Sequence, residues 1–320
     1  MKRLSENEAA GTALLLKIII SYFTFPIFIR PMQPDINKTS EFLYGYASRI
    51  WDRIRFARIR QQRISETTIT ENLIFDFWYQ SQKDDVAIEI YEAKNERRNG
   101  NDLEIYIETK RGYLFMACQA KILNKKNKYP SISHKVGDNY QIDLLLDYGQ
   151  SRGGIACYLF YNHSTDWETL EKLEARGKYK DTHFGLTACN AEFIKLKFFK
   201  PGPNALRKTR VKIPSFEDIH PLHGFPLPEM IRILRDETAL DVIAEMAKHI
   251  NVNITYYTKD EIKEQHYWKP VVPLPQISGI SALEKETYAP HFQKSAMGFS
   301  PKYRIILPLI KQRYALYSVS

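Results

Sequence analysis

Asp102, Gln119 and Lys121 are the residues of this chain whose types and spacing could do chemistry together; they stand in Gly100-Asn-Asp102-Leu-Glu104 and Gln119-Ala-Lys121. An acid, an amide oxygen and a lysine gathered at one sheet edge are the parts that metal-assisted phosphodiester hydrolysis needs. Asp102 supplies a hard oxygen for Mg²⁺, an ion that keeps most of its waters and wants only one or two carboxylates. Such an ion lowers the pKa of an attacking water and screens the charge that grows on the phosphorane. Lys121 would orient that water or stabilise the same charge.

The convergence depends on a hairpin. Asp102-Leu-Glu-Ile-Tyr-Ile-Glu-Thr and Tyr113-Leu-Phe-Met-Ala-Cys-Gln-Ala-Lys read as strands joined by the Lys110-Arg111-Gly112 turn. If the turn sets Asp102 opposite Gln119, side chains two apart share a face and all three residues meet. A register one residue longer would oppose Asp102 to Ala120 and weaken the arrangement. Before the hairpin, Ile69, Leu73 and Phe77 recur at helical spacing from a Ser/Thr-capped start near Ser65, and Val86-Ala-Ile-Glu-Ile-Tyr reads as a further strand. Measured from Ile69, Glu66 lies at about 60° and Glu71 at about 200° while the apolar stripe centres near 80°, so Glu66 turns toward the sheet. Glu71 has a ready role in a Thr68-x-x-Glu71 capping box; Glu96 and Glu104 are further candidates.

After the hairpin, Tyr140-Gln-Ile-Asp-Leu-Leu-Leu-Asp-Tyr is helical until Gly153-Gly154, and Ile155-Ala-Cys-Tyr-Leu-Phe-Tyr is a continuous apolar strand of the kind parallel sheets bury. The order from Ser65 to Asn162 is therefore α-β-β-β-α-β, and a further helix from Thr39 to about Gln62 precedes it. Beyond Asn162 the expected elements are a charged helix near Trp167 to Arg176, strands near His183 to Phe199, a proline-rich passage from Pro214 to Pro228 and a helix from Pro228 to Ile250. The division is an apolar extension over 1–31, a core over 32–200 and a C-terminal α+β extension of unknown role over 201–320.

These residues and this order resemble the PD-(D/E)XK, restriction-endonuclease-like nucleases over about residues 65 to 162. The similarity to a little-characterised bacterial family within that superfamily extends through Tyr-Gln-Ile-Asp-Leu-Leu, Gly185-Leu-Thr-Ala-Cys-Asn and His220-Pro. The resemblance implies a three-layer α/β/α fold with a mixed central sheet and an Mg²⁺-dependent nuclease activity, with Mn²⁺ as a substitute ion. Asp102 and Gln119 would be metal ligands, Lys121 would position the water, and Glu66 would complete the site. It also implies that Gln141 reaches the site from the second helix. Gln119 departs from the pattern, which usually carries Glu or Asp there; a neutral amide still coordinates Mg²⁺ but adds no charge. A catalytically inactive nucleic-acid-binding module of the same fold is the alternative. A role in bacterial defence follows only by analogy with standalone nucleases of this kind.

Composition narrows the rest. The 46 Lys and Arg exceed the 37 Asp and Glu, and the formal net charge of +9 favours an anionic partner. Nucleic acid fits, with DNA favoured over RNA. Lys125, Lys126 and Lys128 directly after the catalytic strand are the first candidates to hold its backbone; Lys195, Lys197, Lys200, Arg207, Lys208, Arg210 and Lys212 form a second basic stretch. The arginines of the Thr39–Gln62 helix do not line up on one face, so that helix reads as a solvated one. Three widely spaced cysteines with no CxxC read as reduced thiols of a cytoplasmic protein, Cys157 and Cys189 as small core residues. Phosphate-loop, nucleophile-elbow and HExxH patterns are absent from the sequence, which argues against nucleotide hydrolysis, serine hydrolysis and zinc proteolysis. His220-Pro-Leu-His223 has ligand-like spacing but reads as a structural loop. Ala9 to Ile29 is long enough to span a bilayer, yet Lys17 and Pro26 interrupt it. Membrane anchoring is therefore the lesser reading, and a biological start at Met32, where an ordinary polar pattern opens, is a further one. A homo-oligomer is compatible with all of this.

Overall fold

Nine strands among the described residues hydrogen-bond into one mixed sheet with helices on both faces, a three-layer α/β/α arrangement. The computed structural model describes residues 38–82, 86–93, 102–166, 168, 170–171, 179–200, 209–249, 253–263, 268–270 and 301–309. The apolar segment from Ala9 to Ile29, and most of the helix expected near Trp167 to Arg176, lie outside them. Among the described residues no helix is long and apolar enough to cross a membrane.

The first half of the chain forms α1 (Lys38–Ile59), α2 (Glu66–Ser81), β1 (Glu89–Ala93), β2 (Asp102–Thr109), β3 (Gly112–Ile122), the short pair β4 (Lys135–Val136) and β5 (Asn139–Tyr140), α3 (Gln141–Ser151) and β6 (Ile155–Tyr161). There follow β7 (Leu186–Asn190), α4 (Ala191–Phe198), β8 (Phe199–Lys200), β9 (Arg210–Val211), α5 (Phe216–Ile219), β10 (Gly224–Pro226), α6 (Leu227–Arg235) and α7 (Glu237–His249). The last elements are β11 (Tyr256–Tyr257), α8 (Lys259–Lys263), β12 (Trp268–Pro270) and β13 (Tyr303–Leu307). The sheet runs β10-β7-β6-β3-β2-β13-β1-β12, with β11 pairing the start of β3. The β3–β6 and β2–β13 pairs are parallel and the others antiparallel.

Alternation along the strands assigns each residue a layer. Leu103, Ile105 and Ile107 of β2, with Leu114, Met116 and Cys118 of β3, face α1, α2 and α6. Tyr106, Phe115 and Ala117 face α3 and α4. Because both faces are covered, β3 is buried from Tyr113 to Lys121 and reads as a nearly unbroken apolar run. Gly185 lets α1 approach the start of β7 closely: a Cβ there would stand 2.0 Å from Ala47 O and 2.8 Å from Trp51 N.

The structure departs from three expectations. Ala191–Phe198 is a helix rather than part of a strand, because Asn190 caps it by accepting from Glu192 N and Phe193 N. The helix expected from Pro228 to Ile250 is two, α6 and α7, broken at Asp236, whose carboxylate accepts from Ala239 N and restarts the second. Residues beyond 200 do not stand apart from the core, since β13 lies in the middle of the sheet between β2 and β1, and β10, β11 and β12 extend it.

Candidate functional site

The β2–β3 turn sets the register on which the site depends. Gly112 takes φ +119, a left-handed conformation suited to glycine, and Thr109 Oγ1 donates to Gly112 O at 2.7 Å. Counting back from this turn, Asp102 pairs with Gln119, the register of convergence. The Asp102 side chain lies outside the described residues, so its place is fixed by the backbone alone. Gln119 and Lys121 have the parity of Phe115 and Ala117 and therefore sit on the α3 side of the sheet, both buried.

Lys121 Nζ donates to Gln141 Oε1 at 2.9 Å, so the first residue of α3 reaches the lysine. Only 4% of Lys121 is exposed. Burying an ammonium group is costly, and such costs concentrate where a charge has a task.

Glu66 arrives from the other layer. It is the first residue of α2, whose N-cap is Ser65, accepting from Thr68 N at 3.1 Å. Glu66 Oε1 accepts from Ile122 N at 2.9 Å and from Ser131 Oγ at 2.9 Å. Its carboxylate thus sits at the end of β3, beside the residue that follows Lys121. Both hydrogen bonds end on Oε1, which leaves Oε2 as an acceptor among the described residues. Ser131, in the turn Pro130–Ser133, was not marked by any sequence pattern.

The expected Thr68/Glu71 capping box does not form, because the helix starts earlier, at Ser65; Glu71 instead lies 3.5 Å from Lys302. Glu104 is committed elsewhere. Arg304 pairs with it through Nε at 2.7 Å and Nη2 at 2.5 Å, and Tyr148 donates its hydroxyl to the other carboxylate oxygen. Glu96 lies outside the described residues.

Arg58 of α1 frames the same end of β3. Its guanidinium donates to Leu123 O at 2.6 Å, Asn124 O at 3.0 Å and His163 O at 2.5 Å, tying the ends of β3 and β6 together. Burial lowers its pKa. Burial, with the Arg58 and Arg55 charges, pushes the His163 imidazole down to about 4, which keeps it neutral. Arg58 was missed as a framing residue because its arc on the helix reads as solvent-facing until the neighbouring strands are placed.

Past this end the loop is turned by Asn124, whose Oδ1 accepts from Lys126 N at 2.8 Å and Lys128 N at 3.0 Å. Lys125, Lys126 and Lys128 are exposed beside the site. Much of the second basic stretch is engaged within the fold: Lys195 pairs with Asp143 at 2.5 Å, Lys212 with Asp218 at 3.2 Å, and Lys197 donates to Asp218 O, while Arg210 is exposed. Arg207 and Lys208 lie outside the described residues.

His220 and His223 have the structural role read for them. His220 Nε2 is 2.8 Å from Thr187 Oγ1 and Nδ1 is 3.1 Å from Phe216 O, while His223 stacks on Phe193 at 3.8 Å. Cys157 and Cys189 are buried core thiols.

The end of β3 therefore gathers a lysine aimed by an amide, a carboxylate with one oxygen to spare and a buried amide, opposite the start of β2. Among the described residues no group of three or more His, Cys, Asp or Glu could hold a metal ion. What these residues offer toward a metal is Glu66 and Gln119, joined at the register position of Asp102. That is a donor set for a hard ion that keeps most of its waters rather than for a closed structural site.

No curated protein and no solved structure matches the chain. A family model matches residues 39–272, from α1 through β12, and by that match over more than half its length the chain belongs to the family of unknown function DUF6615.

Proposed function

We propose that this chain is a metal-dependent nuclease of the PD-(D/E)XK kind, hydrolysing phosphodiester bonds of nucleic acid at the end of β3. The observation that carries the reading is that Lys121, held by Gln141, and the Glu66 carboxylate, held by Ile122 N, stand at the same end of β3, where Gln119 lies two residues from Lys121 and opposite Asp102. A magnesium ion, or manganese in its place, would be held by Asp102, Gln119 and Glu66 Oε2; when bound it would acidify a water and screen phosphoryl charge.

The chain's own residues would do the rest. Lys121 Nζ, aimed by Gln141 Oε1, orients the attacking water and donates to the non-bridging oxygen on which charge grows. Glu66 Oε1 is fixed by Ile122 N and Ser131 Oγ, so Oε2 is offered in one direction, as a ligand or, where Asp102 and Gln119 alone hold the ion, as the base that accepts a water proton. Lys125, Lys126 and Lys128 neutralise the backbone next to the scissile phosphate without reading sequence.

The test is cleavage of plasmid, single-stranded DNA and RNA in Mg²⁺ or Mn²⁺ by the full chain and by Asp102→Ala, Lys121→Ala and Glu66→Gln. The glutamine keeps the acceptor that Ile122 and Ser131 use, so the fold is retained while the charge is lost. Each variant should abolish cleavage; equal cleavage by wild type and all three overturns the reading. Gln119, where the resembling nucleases usually carry an acid, favours a second reading, a module that binds nucleic acid and does not cut it. That reading requires salt-sensitive binding unchanged by EDTA.

A further inference from the structure

We propose that the end of α1, the α1–α2 connection and the loop after β3 form a landing surface for a single strand of nucleic acid, with Phe56 as the ring on which an unpaired base stacks. The inference rests on the nuclease reading of the adjoining site and names the substrate class for it.

The surface is built from two segments fastened together. Arg58 donates to Leu123 O and Asn124 O, and Glu66 accepts from Ile122 N. The connection between α1 and α2 is thus fastened at one end to Leu123 and Asn124, just past β3, and at the other to Ile122, its last residue, next to the loop carrying Lys125, Lys126 and Lys128. Both fastenings stand at the end of β3 that carries Lys121.

Within the last turn of α1, Arg55, Ile59, Phe56 and Arg60 occupy one outward arc of about 140° at 100° per residue, opposite the buried Ile54. Phe56 is 59% exposed and Ile59 66% exposed. A lone exposed apolar side chain needs no explanation; two large ones in a single turn, with the Arg55 guanidinium 5.9 Å from the Phe56 ring centroid, form a flat apolar platform edged by charge.

Its charge is also unspent. Arg55, Arg60 and Arg63 on this connection and Lys125, Lys126 and Lys128 on the loop are all exposed, and among the described residues no ion pair or hydrogen bond engages their side chains. Elsewhere Arg111 pairs with Asp241 and Lys195 with Asp143, while Arg49 and Arg210 stand singly; here six such cations lie on two adjoining segments. Asp52, a turn before Arg55, is the acid that borders the surface, and its charge acts on His163.

Cations with an exposed ring between them favour an unpaired strand. In a duplex the base faces are already stacked on one another, so a protein ring gains nothing from them. A single strand offers both its phosphates and its base faces.

The experiment uses the full chain in EDTA, so that binding is read without cleavage. Fluorescence anisotropy is followed with labelled oligo-dT, oligo-U and a duplex of equal length over a range of salt. Variants are Phe56→Ala, Phe56→Tyr and the triple Arg55→Gln/Arg60→Gln/Arg63→Gln, all at exposed positions. The single strands should bind at least about tenfold tighter than the duplex, and Phe56→Ala should weaken them by about tenfold while leaving the duplex unchanged and Phe56→Tyr near wild type. The triple variant should lower the slope of log affinity against log salt by about 2, from roughly 0.7 for each single-strand phosphate that is no longer neutralised. Equal affinity for duplex and single strand, or single-strand binding indifferent to Phe56, overturns the proposal. A chain that cleaves but ignores Phe56 overturns the landing surface and spares the nuclease reading. One that binds through Phe56 and never cleaves upholds the surface and removes the nuclease reading.

Discussion

Replacing Arg304 with methionine takes from Glu104, in the interior of the sheet, the guanidinium paired with it and leaves the Tyr148 hydroxyl as its hydrogen-bond donor. Both side chains are 1% exposed. The substitution removes the hydrogen bonds from Nε and Nη2 to Glu104 Oε2, the donor to Ile262 O at 2.8 Å, and a guanidinium lying 4.3 Å from the Trp268 ring and 5.0 Å from the Tyr106 ring. Breaking a buried ion pair from one side costs about 3–5 kcal/mol, because the remaining charge stays desolvated. Against a total stability of about 5–15 kcal/mol, that is about a fifth or more of what holds the fold together. The double variant Glu104→Gln/Arg304→Met has no orphaned charge, and its amide oxygen still receives the Tyr148 hydroxyl; it should recover at least about 2 kcal/mol of the loss. Urea unfolding followed by far-ultraviolet circular dichroism and tryptophan emission gives both numbers. If Arg304→Met lies within about 1 kcal/mol of wild type, or the double variant loses the sum of the two singles, the pair is not a central tie of the sheet.

Other perturbations test other parts of the fold. Burial, helped by the neighbouring charges, holds His220 near 3 and His163 and His223 near 4, all below the usual 6.5. The unfolded chain therefore binds protons that the folded one refuses, so stability is full above about pH 6.5 and falls as pH drops toward 3, His220 alone accounting for about 4–5 kcal/mol. Unfolding midpoints for wild type and His220→Asn across that range should converge toward the acid end; a flat wild-type profile between about pH 7 and 5 would count against it. Gly185→Ala should cost about 3 kcal/mol, a fall of roughly 6–12 °C in melting temperature, because its Cβ meets backbone atoms of α1. Gly45→Ala, with nothing within 4 Å of the added Cβ, should instead stabilise α1 by about 0.5–1 kcal/mol, and equal melting of the two variants would refute the distinction. Burial pushes the Cys157 thiol up to about 12 and raises Cys189 well above its usual value, so a thiol reagent should label neither of these before unfolding; prompt labelling of either in the native protein contradicts the packing.

The hairpin was legible in the sequence because it is local and alternation fixes its faces, whereas its register stayed open between two counts that differ by one residue until the turn at Gly112 set Asp102 opposite Gln119. Glu66 was legible from its angle on α2, and Gln141 from the family resemblance. The strand β13 was not. Tyr303-Arg304-Ile305-Ile306-Leu307 is five residues long, and its parallel partner β2 lies 200 residues earlier, so no nearby residue announces the pairing. The boundary expected near residue 200 fails for the same reason, since composition changes there while the sheet continues. Ala191–Phe198 carries Phe193, Ile194, Leu196 and Phe198 in a run that serves a buried strand as well as a helix, and only Asn190 at its start distinguishes the two. Ser131 and Arg58 act through backbone carbonyls and a carboxylate brought close by folding, interactions that leave no periodic trace.

The position of β13 also sets a schedule for synthesis. When residues 102–109 have left the ribosome, the edge of β2 that β13 will cover has nearly two hundred residues still to wait, and β1 cannot reach its final neighbour. An unpaired edge of Leu, Ile and Tyr is a template for other strands during that interval, and pairing across so long a stretch of chain is intrinsically slow. A nascent chain of this protein thus carries its aggregation hazard in the centre of its sheet rather than at the rim, and holding factors that act during translation should raise its yield more than those that act after release.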